Sequence, residues 1–133
     1  MDAITSVPPP RNEPVLGYAP GSAERESLQK KLAELKESKA ELTQTISGVQ
    51  RMAGGEPFTV VAPHDHRHVL GTSAQATEQD VADAVEAAKK AAPEWREMPF
   101  DERAAIFLRA ADLISGPWRD TLNAATMLGQ SKS

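Results

Sequence analysis

Residues 77–115, TEQDVADAVEAAKKAAPEWREMPFDERAAIFLRAADLIS, constrain the fold most, because they carry two consecutive amphipathic helix patterns. Val81, Ala84, Val85 and Ala88 recur at i, i+3, i+4 and i+7 and share one stripe of a helix, with Asp80, Asp83, Glu86, Lys89 and Lys90 over most of the remaining surface. Thr77 is the expected N-cap, and acids in the first turn with lysines in the last complement the helix dipole. After Pro93 and Pro99 a second helix is expected to start over, with Asp101 as its N-cap and Ala104, Phe107, Ala111 and Ile114 on its stripe. Gly116-Pro117 stops it. These Ala-rich stripes are narrow. At roughly 1.5–3 kcal/mol per fully buried large side chain, Val81, Val85, Trp95, Phe107, Leu108, Leu113 and Ile114 make only a modest core, so the pair is expected to need more protein against it.

Composition points the same way. The 133 residues fit one domain, but an apolar fraction of 40% with 5% aromatics is lean for a self-sufficient globule. A net charge of −4 and the lack of a basic stripe with interleaved aromatics argue against a nucleic-acid partner. With no cysteine, these residues supply neither a disulfide, a thiolate zinc site nor a thiol nucleophile. MDAITSVPPPRNEP has no basic n-region and no apolar h-region, and no run reaches membrane-spanning length, so no membrane partner and a cytoplasmic location are expected.

In chain order, residues 1–21 read as an extended arm, because Pro8, Pro9, Pro10, Pro14 and Pro20 fix φ and remove donors; Val15, Leu16 and Tyr18 are its expected anchors. Residues 22–41 read as an amphipathic helix capped by Ser22, with Leu28, Leu32 and Leu35 as a thin seam that packs on a neighbour. The seam is too short for a coiled coil. Residues 42–76 switch to strand character and are expected to form an antiparallel meander. Its turns fall at Ser47-Gly48, at residues 53–57 and at residues 63–67, the last preceding a strand over residues 68–72. Beyond Gly116, Pro117 is expected in the first helical position, and Trp118, Leu122, Ala125 and Leu128 on a third stripe. The order of arm, helix, antiparallel strands and three helices makes this an α+β segment that reads like the start of a larger α/β protein.

Three features invite a chemical reading. His64, His66 and His68 alternate, which on a true strand would turn all three to one face as metal ligands; Pro63 and Asp65 favour a surface turn instead. Asp80, Asp83, Glu86, Glu94 and Glu97 lie on polar helix faces and read as solvated surface rather than acid–base pairs. The ending GQSKS echoes a phosphate-binding loop, but lacks the earlier glycine and follows a helix rather than a strand. Read from the residues alone, the chain holds no catalytic, cofactor-binding or metal site.

Residues 58–116 carry a strand ending in Pro63, a strand ending in Gly71, the helix through Asp80-Val81 to Ala88, and Trp95 ahead of Glu102-Arg103-Ala104 and Arg109-Ala110-Ala111-Asp112. In that order they resemble the N-terminal part of the NAD-dependent aldehyde dehydrogenase superfamily. Asn12-Glu13-Pro14-Val15, PGSAERESLQKKLAEL, GVQRMAGGE and ATMLGQSKS are similar to its Δ1-pyrroline-5-carboxylate (L-glutamate γ-semialdehyde) dehydrogenase branch. The resemblance implies an α/β parent fold, with residues 77–133 the helical part of an incomplete NAD-binding domain. It also implies an enzyme of proline catabolism that oxidises L-glutamate γ-semialdehyde to glutamate with NAD, through covalent catalysis by a cysteine and stabilisation of the oxyanion. The cysteine, the water-activating carboxylate and the nucleotide-binding strands are expected beyond Ser133, leaving this segment inactive alone. Its implied partners are the remainder of the chain and, when complete, further copies in a homo-oligomer. Trp95, Arg103, Phe107 and Arg109 take a scaffolding role in this reading; Phe107 is buried, and its truncation in the complete enzyme costs about 3–5 kcal/mol. The alternatives are a free-standing interaction module, docking through the arm and the leucine seam, and a His-dependent metal protein.

Overall fold

A computed structural model describes residues 6–132; residues 1–5 of the expected arm and Ser133 of the expected helix exit lie outside the described residues. Residues 6–19 have no regular secondary structure, as the prolines require. Polar contacts fix this arm, and of the expected anchors Leu16 and Tyr18 are half-buried. Arg119 Nη1 donates to the Pro14 carbonyl at 2.9 Å, Asn123 Nδ2 to the Tyr18 hydroxyl at 3.1 Å and Arg25 Nη1 to the Tyr18 carbonyl at 3.4 Å. Val15 is fully exposed, because its neighbours' hydrogen bonds already set the path of the chain.

Helix α1 (Ala23–Glu37) starts where Ser22 Oγ accepts from the Arg25 amide. It ends short of residue 41, since Ala40–Glu41 leaves the helix as strand β1. Strands β2 (Gln44–Ile46) and β3 (Val49–Arg51) form the expected hairpin, with Ser47 (φ 52°) and Gly48 (φ 77°) both left-handed at its turn. Two positive φ values give a turn whose twist matches that of the strands.

Strands β4 (Pro57–Ala62) and β5 (Asp65–Ala74) pair antiparallel, with register shifts after Val60 and Val61. The sheet order is β1-β5-β4, and β1 runs parallel to β5, so the sheet is mixed and not the wholly antiparallel meander expected. The cause is Gly71: Ala40 pairs directly with it, and a Cβ there would collide with the Ala40 carbonyl oxygen. The Leu42 amide extends the pairing by donating to the Thr72 carbonyl at 2.8 Å.

Helix α2 (Glu78–Glu97) runs through Pro93, which was expected to end it. Pro93 is exposed, and the helix continues for one further turn beyond it to Glu97. Helix α3 (Phe100–Ser115) is preceded by Pro99 at φ −53°, which starts the helix one residue before Asp101; Asp101 therefore lies in the first turn instead of capping it. Helix α4 (Arg119–Gln130) begins after a turn at Gly116–Trp118, closed by the Arg119 amide on the Gly116 carbonyl, so Pro117 precedes the helix rather than opening it.

The core lies where α4 meets α1 and β4. Ala62, Ala124 and Leu128 are its buried apolar residues, with the leucine seam of α1 half-buried beside them. Ala124 takes the place expected for Ala125, so the covered stripe of α4 is turned by one residue. The apolar stripes of α2 and α3 are open, as expected of a pair that needs more protein against it: Val81 is 56% and Val85 45% exposed. The accessible surface is 10520 Å², against about 6,800 Å² for a compact monomer of this mass.

Candidate functional site

The most connected polar group in the described residues is Asp80. It is the one buried residue of α2, with 6% of its surface exposed, and it was expected on a solvated face. Its Oδ2 accepts from the Gly54 amide (2.9 Å), the Thr77 amide (2.9 Å) and the Thr77 hydroxyl (2.8 Å); its Oδ1 accepts from Gln44 Nε2 (2.7 Å) and Arg51 Nη2 (3.2 Å). The Asp80 amide returns a bond to Thr77 Oγ1 at 3.2 Å, which completes a capping box.

One carboxylate thus joins the hairpin, the Gly54 turn and the start of α2. The bonds from the Gly54 amide, the Thr77 amide and the Thr77 hydroxyl hold its carboxyl far below the usual carboxylate range. Asp83 lies beside it. Arg51 Nη2 bonds Asp83 Oδ2 at 2.7 Å and Gln79 Nε2 bonds Asp83 Oδ1 at 2.7 Å, and these two bonds lower its pKa as well. The signal for Asp80 was present in the sequence as Thr77-x-x-Asp80. The contacts from Gln44, Arg51 and Gly54 come from 26 to 36 residues away, beyond any local pattern.

The node binds groups of this chain itself. Its carboxylate already fills the N-terminal end of α2, where a dinucleotide phosphate would otherwise find free amides. Gly129 and Gln130 belong to the last turn of α4 and Ser131 is left-handed at its end, so the phosphate-loop echo has no strand-to-helix loop around it.

The histidines divide. His64 sits in the β4–β5 turn with Nδ1 2.9 Å from Ser131 Oγ, whereas His66 and His68 lie on β5, so the expected turn is shorter and the strand starts at Asp65. His66 is exposed, and His68 is half-buried with Nε2 covered and without a hydrogen-bond partner among the described residues. Among the described residues no group of three His, Cys, Asp or Glu side chains could hold a metal ion.

Of the four scaffold positions, Trp95 and Phe107 meet edge to face at 6.3 Å between ring centroids. Arg103 is half-buried and Arg109 exposed. Phe107 is 67% exposed, with only the edge-to-face contact to Trp95 given for its ring, so it is not a core residue of these 133 residues.

The family behind this architecture is defined by comparison. The aldehyde dehydrogenase family model matches residues 49–133, and the chain belongs to that family. Its fold agrees: the chain superposes with a TM-score of 0.95 and 57% identity on the crystal structure of the Delta-pyrroline-5-carboxylate dehydrogenase from Mycobacterium tuberculosis, covering 100% of this chain and 25% of that one. Delta-1-pyrroline-5-carboxylate dehydrogenase of Agaricus bisporus is 43% identical over 131 residues, covering 98% of this chain and 24% of its own length. The mitochondrial Delta-1-pyrroline-5-carboxylate dehydrogenase of Homo sapiens is 39% identical over 122 residues, covering 92% and 22%. The chain thus spans about a quarter of the length of these relatives. Among the described residues no helix is long and apolar enough to cross a membrane.

Proposed function

We propose that these residues serve a Δ1-pyrroline-5-carboxylate dehydrogenase, oxidising L-glutamate γ-semialdehyde to L-glutamate with NAD in proline catabolism. The observation that carries this reading is the 57% identity at a TM-score of 0.95 to the M. tuberculosis enzyme along the entire chain. A structure of that enzyme is described as bound with NAD. The role of this segment is to scaffold: it contributes helices and a small sheet but neither the thiol nucleophile nor the cofactor site, and its partner is the remainder of such a chain. Homo-oligomeric assembly and a cytoplasmic location belong to the same proposal; light scattering and cell fractionation test them.

The test of activity is a chimera in which this chain replaces the matching quarter of the M. tuberculosis enzyme. Semialdehyde-dependent reduction of NAD is expected from the chimera and not from the 133-residue chain. A folded chimera without that activity overturns the proposal.

A further inference from the structure

Helices α1 and α4 pack side by side and run in the same direction: Ser27 donates to Asp120 near their starts, and Lys36 and Lys132 border one small cavity at their ends. Along them lies a cleft of about 570 Å³, within the about 300–1,000 Å³ of small-molecule sites. Leu28, Leu32 and Met127, all half-buried, supply its apolar surface. Its charged residues are Arg25 and Lys132, with no acidic side chain, in a chain whose net charge is −4. Glu24 and Glu26 share the first turn of α1 but do not border the cleft. The larger cavity beside the arm, about 950 Å³, has no such bias, because Glu13 and Asp112 balance Arg11 and Arg119.

Tyr18 belongs to the Arg25 end of this cleft. Its φ of 49° is left-handed, a conformation that a bulky side chain rarely adopts. Its carbonyl accepts from Arg25 Nη1 at 3.4 Å and its hydroxyl accepts from Asn123 Nδ2 at 3.1 Å. The residue is thus held at both ends, and the hydroxyl proton has no acceptor among the described residues. A guanidinium, a hydroxyl donor and the positive end of the α1 dipole therefore stand at one end of an apolar channel. From Arg25 to Leu32 the helix rises about 10 Å, the reach of a medium-length hydrocarbon chain.

We propose that the α1–α4 cleft binds a medium-chain carboxylate, its carboxylate on Arg25 and the Tyr18 hydroxyl and its hydrocarbon over Leu28, Leu32 and Met127. The site goes beyond the dehydrogenase reading and does not rest on it. Charge selects an anion, since the lining carries positive charge only, and the three apolar side chains select a tail that a bare inorganic ion lacks.

The test is a titration with octanoate, followed by the methyl NMR signals of Leu28, Leu32 and Met127, in the 133-residue chain and in the M. tuberculosis chimera. Those signals should shift saturably in both. Acetate and octan-1-ol, each lacking one half of the recognition, should bind at least about ten-fold more weakly. Arg25→Gln and Tyr18→Phe should weaken octanoate and leave octan-1-ol unchanged, whereas Lys89→Gln, which removes the same charge from α2, should leave octanoate unchanged. The proposal is overturned if octan-1-ol binds as tightly as octanoate, or if Lys89→Gln weakens octanoate as much as Arg25→Gln does. Binding confined to the isolated chain overturns it too, because the cleft would then be covered in a complete one. A chimera that binds octanoate without reducing NAD keeps the cleft and removes the dehydrogenase reading.

Discussion

Thr77 and Asp80 exchange three hydrogen bonds, two from Thr77 to Asp80 Oδ2 at 2.9 and 2.8 Å and one from the Asp80 amide to Thr77 Oγ1 at 3.2 Å. That reciprocity makes a helix start into a joint, because the same carboxylate also accepts from Gly54, Gln44 and Arg51. Asp80→Asn puts an NH₂ group among donors, so at least one buried donor loses its acceptor. The expected outcome is fast hydrogen exchange through residues 44–51 at neutral pH, with α1 and α4 unaffected.

The same joint sets an acid limit. Asp80 and Asp83 both have folded-state pKa values depressed below their unfolded values, so their contribution is present above about pH 4 and is lost as pH falls toward the folded-state values. Hairpin amides of the wild-type chain should lose protection progressively on acidification below that pH. In Asp80→Asn the acid-induced loss should be much reduced, leaving only the part carried by Asp83. An unchanged acid profile in the variant would contradict the assignment.

A third prediction concerns the parallel pairing. Gly71 is buried and faces the Ala40 backbone so closely that no side chain fits between them. Gly71→Ala forces β1 away from β5, with a destabilisation of about 1–3 kcal/mol, the usual range for overpacking. Exchange at the Leu42 amide, which bonds the Thr72 carbonyl, reads this out directly.

What was legible in the sequence divides along the range of the interactions. Ser22, Thr77 and Ser47-Gly48 act within three residues of themselves, and all three were placed correctly from residue type alone. Gly71 met Ala40 across 31 residues, and Asp80 met Gln44 across 36; neither pairing leaves a local pattern, so β1 was read as helix and Asp80 as surface. Pro93 misled for another reason. A proline inside a helix removes one hydrogen bond and crowds the carbonyl of the preceding turn, yet α2 runs on past it for one more turn, so the residue type alone did not mark the helix end. The stripes of α2 and α3 were read correctly as apolar and as needing further protein against them, because periodicity reports which face is apolar and the lean side chains report how little they can bury by themselves.

The hairpin turn supplies a stabilising change. Ser47 holds φ 52° beside Gly48 at φ 77°, and a serine is less at ease there than asparagine, whose amide tolerates the left-handed region. Ser47→Asn should stabilise the hairpin by a few tenths of a kcal/mol, up to about 1 kcal/mol, seen as slower exchange at residues 44–51. Faster exchange would mean that Ser47 makes a contact that asparagine cannot replace.

Phe107→Ala separates what this chain does for itself from what it offers to a larger body. With 67% of its surface exposed, Phe107 loses little burial on truncation; the remaining loss is its edge-to-face contact with Trp95. Such a contact is worth about 0.5–1.5 kcal/mol, so the isolated chain should be destabilised by about 1 kcal/mol at most, read from exchange near the α2–α3 junction. In the M. tuberculosis chimera the same substitution should cost more if the dehydrogenase body closes over α3, approaching the 3–5 kcal/mol of a buried phenylalanine. Equal costs in the two settings would confine Phe107 to its contact with Trp95.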